Sequence, residues 1–183
     1  MTKEIAGIPP HDASSVTLNS GTRMPRLGLG VWRSGGDAET ERAVRAALKC
    51  GYRSIDTAKI YGNERGVGRA LRGSGVKRED LFVTTKVWND DVRAERVAAA
   101  FDESLLLLGL DYIDLSLVHW PIVGKIAPAW LAMERLVESG RVRAIGVNNH
   151  LLPHLHELLA GAEIVPAGNQ IEFHPYLQSH SAS

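Results

Sequence analysis

Four ionisable side chains follow predicted strands at positions where they can act together on a substrate. Asp56 closes a short strand, and Tyr61 follows it by five residues in the next loop. Lys86 ends an apolar strand, and His119 comes directly after another. In parallel α/β folds the active site lies at the carboxyl edge of the sheet. Singly, each residue is more often structural than functional, but the set is hard to explain as packing alone.

The chemistry these groups predict is proton transfer to a carbonyl oxygen. A tyrosine hydroxyl with a pKa near 10 is a poor acid at neutral pH. A lysine ammonium beside it would lower that pKa, and a carboxylate would hold the ammonium in place. A strand buried on both faces requires a counter-ion for Lys86, and Asp56 on the neighbouring strand is the natural one. A histidine next to the phenol can orient the carbonyl while a hydride reaches its carbon.

Amide and aromatic side chains follow the same strand ends. Asn149 and Gln170 are suited to hold the carboxamide of a nicotinamide, although single amides more commonly satisfy loop backbone groups. Trp32, Trp88 and Trp120 are three of only four tryptophans. They are compatible with an aromatic wall around a carbonyl pocket and equally with packing at the rim of the fold.

Composition narrows the class of protein. The chain has 183 residues, with 21 basic and 21 acidic side chains and a net charge of zero, which argues against binding nucleic acid or an anionic membrane through a global field. Cys50 is the only cysteine, so the sequence predicts no internal disulfide and a cytoplasmic location. The first twenty residues lack the apolar segment of a signal peptide, and no apolar run is long enough to span a membrane.

A repeated strand–helix unit accounts for most of the chain. After a loose tail at 1–15, a hairpin is predicted at 16–25, and strand centres then recur about every 24 to 32 residues. The predicted strands are 27–31, 53–55, 81–87, 112–118, 142–147 and 167–173, and the predicted helices are 37–49, 63–71, 94–108, 129–138 and 152–159. The domain is expected to cover 16–178, followed by a short tail at 179–183.

Six such units predict a parallel sheet, either an open doubly wound sheet or a (β/α)₈ barrel. The open dinucleotide-binding sheet would carry G-x-G-x-x-G after its first strand. Here Gly28 and Gly30 are followed by Arg33 where the third glycine would stand. Gly66 and Gly68 lie inside a predicted helix, where glycines allow close packing. The barrel is therefore favoured.

Several motifs in order resemble those of the aldo-keto reductases, especially bacterial members similar to 2,5-diketo-D-gluconate reductases. The motifs are GYRSIDTA with YGNE at 51–64, TKVW at 85–88, LDYIDL with HWP at 110–121, IGVNN at 145–149 and NQIEFHPY at 169–176. The resemblance implies a (β/α)₈ barrel that reduces aldehydes and ketones with NADPH. It also implies that Tyr61 donates the proton, that Asp56 and Lys86 tune it, and that His119 orients the substrate.

The same resemblance implies the remaining contacts of the site. The cofactor would be held at Val31, Asp56, Asn148, Asn149 and Gln170. The substrate pocket would be formed by Trp32, Trp88, His119 and Trp120. No metal is expected.

Three departures from the family pattern matter. Asn148 replaces the usual serine before Asn149, and Gly168 replaces a valine, which weakens the sixth strand. The chain is also expected to end after six of eight units, since a whole barrel needs about 250 residues. The first and sixth strands would then present unpaired edges that favour self-association.

Two alternatives stay open at this point. The first is a catalytically impaired, reductase-like chain without a complete cofactor site. The second is a metal hydrolase using Asp56, His119 and His174, although a His-x-His motif after the first strand is missing.

Overall fold

The computed structural model describes residues 15–178, so the predicted tails at 1–15 and 179–183 lie outside it apart from Ser15. The strands are β1 (Ser15–Thr17), β2 (Arg23–Pro25), β3 (Gly28–Gly30), β4 (Ser54–Asp56), β5 (Phe82–Val87), β6 (Ile113–Val118), β7 (Val142–Asn148) and β8 (Asn169–Gln170). The helices are α1 (Asp37–Lys49), α2 (Glu64–Arg72), α3 (Asn89–Arg93), α4 (Val97–Leu108), α5 (Ile126–Glu138) and α6 (Leu152–Leu159). Two short 3₁₀ turns span Lys59–Tyr61 and Arg78–Asp80.

The order of the strands decides between the two predicted architectures. β3 to β8 form one parallel sheet in which spatial order equals chain order, and β1 pairs antiparallel with β2. A doubly wound sheet would reverse its strand order at a switch point, whereas a barrel never does. The fold is therefore an incomplete (β/α)₈ barrel with six strands. Within residues 15–178, β3 pairs only with β4, and β8 only with β7.

Alternation along the strands separates an outer core from an inner one. Val83 of β5 packs in the large cluster beneath the helices, together with Phe101 and Trp130. Phe82 and Leu117 belong to a smaller cluster on the other face. Because side chains of a strand alternate between faces, this inner face is also the one that Lys86 shares with Phe82 and that His119 shares with Leu117.

The hairpin covers one end of the inner face. Leu18 and Met24 pack against the inner cluster, and the Asn19 Nδ2 donates a hydrogen bond of 2.9 Å to the carbonyl of Val165. The opposite, carboxyl end of the sheet is left for the site.

A tight turn at Gly51 ends α1 just before the strand that carries Asp56. Gly51, at φ +92°, follows α1, and the amides of Gly51 and Tyr52 donate to the carbonyls of Leu48 and Ala47. This pair of bonds is a Schellman motif, which ends the helix and directs the chain into β4. The helix has the bounds predicted from the sequence, 37–49.

The two glycines in α2 are close-packing residues, as predicted. A Cβ at Gly66 would lie 2.2 Å from the Asp37 carbonyl oxygen, and one at Gly68 would lie 2.2 Å from that of Leu108. Only glycine lets α2 approach α1 and the end of α4 this closely.

Three predicted elements differ from the structure. The strand predicted at 167–173 is only Asn169–Gln170, since Gly168 precedes it and β7 is its one partner among the described residues. The helix predicted at 94–108 starts at Val97, because Glu95 adopts φ +55° and separates α3 from α4. The helix predicted at 129–138 starts at Ile126, where Pro128 is tolerated in the first turn.

No helix among residues 15–178 has both the length and the apolar character needed to cross a bilayer.

Candidate active site

Asp56 and Lys86 form a buried ion pair at the carboxyl ends of β4 and β5. Asp56 lies opposite Thr84 in the parallel register, and Lys86 is two residues further along the same face. The Lys86 Nζ donates a short hydrogen bond to Asp56 Oδ1 and another of 3.0 Å to the Thr57 carbonyl. The Lys86 side chain is 1% exposed and that of Asp56 22%. The pairing predicted from the sequence is therefore present.

Tyr61 joins this pair from the 3₁₀ turn that follows β4. The turn ends at Gly62, which adopts a left-handed conformation at φ +68°. The Tyr61 hydroxyl lies 3.5 Å from the Lys86 Nζ, at the outer limit of a hydrogen bond. Its ring meets the His119 ring edge to face, with 5.9 Å between centroids. The structure thus brings Asp56, Tyr61, Lys86 and His119 together, and they are called the tetrad below.

The expected lowering of the Tyr61 pKa is not found. Burial is the larger cause and the negative charge of Asp56 the smaller one, and together they raise the pKa of Tyr61 to about 12. Burial lowers the pKa of Lys86, although the charge of Asp56 and its hydrogen bond oppose that effect. The sequence predicted that the Lys86 ammonium would lower the pKa of Tyr61, but burial of the phenol has the larger and opposite effect. The phenol is fully protonated at neutral pH, which is the state a proton donor requires.

His119 is a neutral imidazole in this setting. The pKa of His119 is lowered to about 4, mainly by burial and to a smaller extent by the positive charge of Lys86. Its ring also packs edge to face on Trp88, with centroids 5.1 Å apart. The Nδ1 atom is buried and has no hydrogen-bond partner within residues 15–178. A neutral imidazole can donate one hydrogen bond without competing for the tyrosine proton.

The amide residues lie at the ends of β7 and β8 beside the tetrad. Gln170 Nε2 donates a 2.8 Å hydrogen bond to Asp56 Oδ2, which links the carboxyl ends of β8 and β4 through residues 114 positions apart. Asn148 Nδ2 donates a 2.6 Å hydrogen bond to the Gln170 carbonyl, and Asn149 Nδ2 donates one of 3.1 Å to Asn148 Oδ1. Each of these amide nitrogens therefore makes one hydrogen bond within the protein. The side-chain oxygens of Asn149 and Gln170 are suited to accept from a primary carboxamide, so the residue set fits a nicotinamide.

The predicted aromatic wall is only partly assembled. Trp88 packs edge to face on His119. Trp32 is 64% exposed with Arg33 over its ring, and Trp120 is 44% exposed. Val31 is fully buried in the outer core. Its carbonyl accepts a 3.0 Å hydrogen bond from Asn63, so its predicted cofactor contact still rests on the resemblance alone.

Asn63 is a buried residue that was not among the site residues predicted from the sequence. It bonds the Val31 carbonyl and accepts a 3.3 Å hydrogen bond from the Thr57 hydroxyl, which ties the ends of β3 and β4 to the start of α2. The available signal was an asparagine at the start of the predicted helix, a residue type that often bonds nearby backbone groups.

The metal-hydrolase alternative finds no ligand cluster. No group of three or more histidine, cysteine or carboxylate side chains suited to a metal occurs in the part of the chain the structure describes. His174 instead contacts Glu172 at 3.0 Å.

A cavity of about 600 Å³ lies away from the tetrad, at the amino end of the sheet. The hairpin lines it together with Phe82, Asp114 and Arg143. The Asp114 carboxylate is held by Arg78 at 2.7 Å and by the Val83 amide at 2.9 Å, which is a structural arrangement.

The low pKa of His119 predicts a loss of stability in acid. The unfolded histidine titrates near 6.5 and the folded one near 4, so the unfolded state takes up a proton first. Stability is expected to fall as the pH drops from about 6.5 to about 4, by up to about 3 kcal/mol. Urea unfolding across that range measures the loss.

His119→Gln should remove this part of the acid sensitivity, while the exposed His156→Gln should not. Buried His150 also has a lowered pKa, so the wild-type-minus-variant difference is the relevant quantity. Equal pH slopes in wild type and His119→Gln would contradict the prediction.

Comparison with known proteins agrees with this geometry. The model of the aldo/keto reductase family matches residues 26–183. The chain is 55% identical over 166 residues to a 9,11-endoperoxide prostaglandin H2 reductase of Trypanosoma cruzi, covering 91% of this chain and 59% of that protein. It is 51% identical over 170 residues to a glyoxal reductase of Bacillus subtilis, covering 93% and 62%.

A solved structure of an aldo/keto reductase has the same fold as this chain. The crystal structure of an aldo/keto reductase from Brucella melitensis superimposes with a TM-score of 0.87 at 48% identity, covering 92% of this chain and 66% of that one. The chain thus spans about 60% of the length of the curated relatives it matches. With a family model covering most of its length and relatives at about half identity, the chain belongs to the aldo/keto reductase family.

Proposed function

We propose that this chain carries the proton-donating half of a carbonyl reductase that uses NADPH to reduce aldehydes and ketones to alcohols. The observation that supports this most is the Tyr61 hydroxyl, which lies 3.5 Å from the buried Lys86 Nζ that is itself paired with Asp56. Reduction of a carbonyl needs a proton at oxygen as the hydride arrives at carbon, and the tetrad is built for the first of these tasks.

Each tetrad residue has a distinct part in the proposal. Tyr61 gives its proton to the carbonyl oxygen, and the Lys86 ammonium stabilises the phenolate that remains. Asp56 opposes, through its charge and its hydrogen bond, the lowering of the Lys86 pKa by burial. Neutral His119 donates a hydrogen bond that orients the carbonyl. A nicotinamide cofactor, when bound, would supply the hydride.

The cofactor-binding part of the proposal rests on the strand ends of β7 and β8. Asn149 and Gln170 would accept hydrogen bonds from the nicotinamide carboxamide, with Asn148 holding the Gln170 backbone in place. Val31 and Asp56 complete the proposed contacts.

The substrate is proposed to be a small carbonyl compound in the cytoplasm. Trp32, Trp88 and Trp120, together with His119, would form the walls of its pocket. One relative is named for glyoxal, so glyoxal is a reasonable first substrate to assay. The single-partner edges of β3 and β8 are proposed contact points for self-association.

Titration of the purified chain with NADPH, followed by quenching of tryptophan fluorescence, tests the proposal. Trp88 packs edge to face on His119, so we expect its fluorescence to respond to a ligand bound at the tetrad. We expect saturable binding in about the micromolar range, followed by reduction of glyoxal at the expense of NADPH. The same titration with NADH tests the preference for NADPH.

Asn149→Ala should weaken cofactor binding, whereas a distant surface variant, Lys125→Met, should leave it unchanged. A folded sample that binds neither cofactor would support the alternative, a reductase-like chain without a complete cofactor site.

A further inference from the structure

Lys59 lies two residues before Tyr61 on the same 3₁₀ turn and is surrounded by carboxylates. Its Nζ lies 3.0 Å from Asp91 Oδ2 and 2.6 Å from Glu103 Oε2. The Lys59 side chain is only 19% exposed, and that of Asp91 is 9% exposed. Burial lowers the pKa of Lys59, but its bonds to Glu103 and Asp91 outweigh burial and raise the pKa overall. Lys59 therefore stays charged.

A second cation completes this group. Arg96 approaches Asp91 Oδ1 at 2.8 Å and Glu103 Oε1 at 3.8 Å. Lys59, Asp91, Arg96 and Glu103, called the Lys59 cluster below, thus join two positive and two negative charges. Asp91 is shared by both cations, one at each carboxylate oxygen. A shared, largely buried carboxylate fixes geometry better than an isolated surface pair does.

The cluster connects the chain around Tyr61 to the chain that leaves Lys86. Asp91 belongs to α3, which begins directly after Trp88, and the Asp91 amide donates 3.1 Å to the Trp88 carbonyl. Lys86 is only two residues before Trp88. The ion pair between Lys59 and Asp91 therefore joins the two segments that carry the proton donor and its ammonium.

A second contact makes the same connection from the other side. Buried Glu64, at the start of α2, accepts a 2.7 Å hydrogen bond from the Thr85 hydroxyl. Thr85 directly precedes Lys86 in β5. The chain on either side of Tyr61 is thus attached on either side of Lys86, with Glu64 bonded to Thr85 and Lys59 paired with Asp91.

The hydroxyl-to-ammonium distance is sensitive to this attachment. At 3.5 Å it is already the longest that counts as a hydrogen bond, so a small displacement of the turn would break it. A misplacement of about 1 Å can reduce an enzymatic rate by about a hundredfold.

We propose that Lys59 is a positioning residue for the proton donor, holding Tyr61 against Lys86 through its ion pairs with Asp91 and Glu103. The inference deepens the proposed function and rests on it for its consequence in turnover, but the positioning itself can be measured without any reaction.

Tyrosine-selective ¹³C NMR reads the environment of the phenol directly. The chain has four tyrosines, and the Tyr61 signal is assigned by its disappearance in Tyr61→Phe. Lys59→Met keeps the side-chain stem and removes the charge, so it should shift and broaden the Tyr61 signal. Lys59→Arg should restore most of it. Lys125→Met, which breaks a more exposed ion pair with Glu95, should leave it unchanged.

Glu103→Gln provides a milder variant if Lys59→Met does not fold. The Glu103 side chain is 49% exposed, so its loss is tolerable, and it should shift the same signal in the same direction by less. A Tyr61 signal that is the same in wild type, Lys59→Met and Glu103→Gln would overturn the inference.

Turnover separates this inference from the proposed function. In Lys59→Met we expect kcat for glyoxal to fall about tenfold or more, with NADPH affinity within about twofold of wild type. Weakened NADPH binding with unchanged kcat would contradict a positioning role. If the wild-type chain reduces no carbonyl but the Tyr61 signal still responds to Lys59, the proposed function fails and the positioning stands.

Discussion

Replacing Tyr61 with phenylalanine is expected to abolish carbonyl reduction while leaving cofactor binding nearly intact. The variant loses only the hydroxyl oxygen, so the edge-to-face contact with His119 can persist. A positioned general acid contributes about a hundredfold to ten-thousandfold to a rate, and the loss should fall in that range or below detection. Steady-state kinetics with glyoxal and the NADPH titration measure the two quantities separately.

Tyr176→Phe is the matched control for this substitution. Tyr176 is 97% exposed, so loss of its hydroxyl should change neither turnover nor binding. Near-normal turnover in Tyr61→Phe would refute the proton-donor role.

Removing Asp56 is expected to destabilise the fold strongly, because it leaves the Lys86 ammonium buried without its counter-ion. Breaking a buried ion pair from one side typically costs about 3–5 kcal/mol. Lys86 is 1% exposed, and besides Asp56 its ammonium has the Thr57 carbonyl and the distant Tyr61 hydroxyl as partners. Urea unfolding of Asp56→Ala at neutral pH should show a loss of this size.

The pH dependence and a second substitution identify the cause of this loss. Without Asp56 the folded pKa of Lys86 should fall further below its unfolded value of about 10.5. The unfolded state then binds more protons, so the stability of Asp56→Ala should rise with pH until about 10.5. Adding Lys86→Met should restore much of the stability at neutral pH. A loss that is independent of pH and persists in the double variant would contradict this explanation.

The barrel could be predicted because its signals are local and periodic. Strand β5 alternates between an outer and an inner core, and α1 ends at a glycine whose φ of +92° suits the helix terminus. The ion pair of Asp56 with Lys86 could also be predicted, since a lysine ending a buried strand has few places to find a counter-ion.

The remaining features depend on tertiary contacts that no local pattern carries. The break between α3 and α4 comes from the left-handed backbone of Glu95, a residue type that normally continues a helix. The raised pKa of Tyr61 depends on how deeply the folded chain buries the phenol and on how close it brings Asp56. The attachment of Lys59 to Asp91 joins residues whose charges look like an ordinary solvated surface in the sequence.

The hydrogen bond from Gln170 to Asp56 has a consequence for the order in which the chain folds. The tetrad is complete once His119 has been made, whereas Gln170 follows about fifty residues later and closes a much longer loop. Contacts of large sequence separation form late, and synthesis proceeds from the amino end. In a nascent chain the contacts within the tetrad should therefore form first, and the hydrogen bond from Gln170 to Asp56 Oδ2 should form last. Pulsed hydrogen exchange during refolding should accordingly protect β5 and β6 before β8.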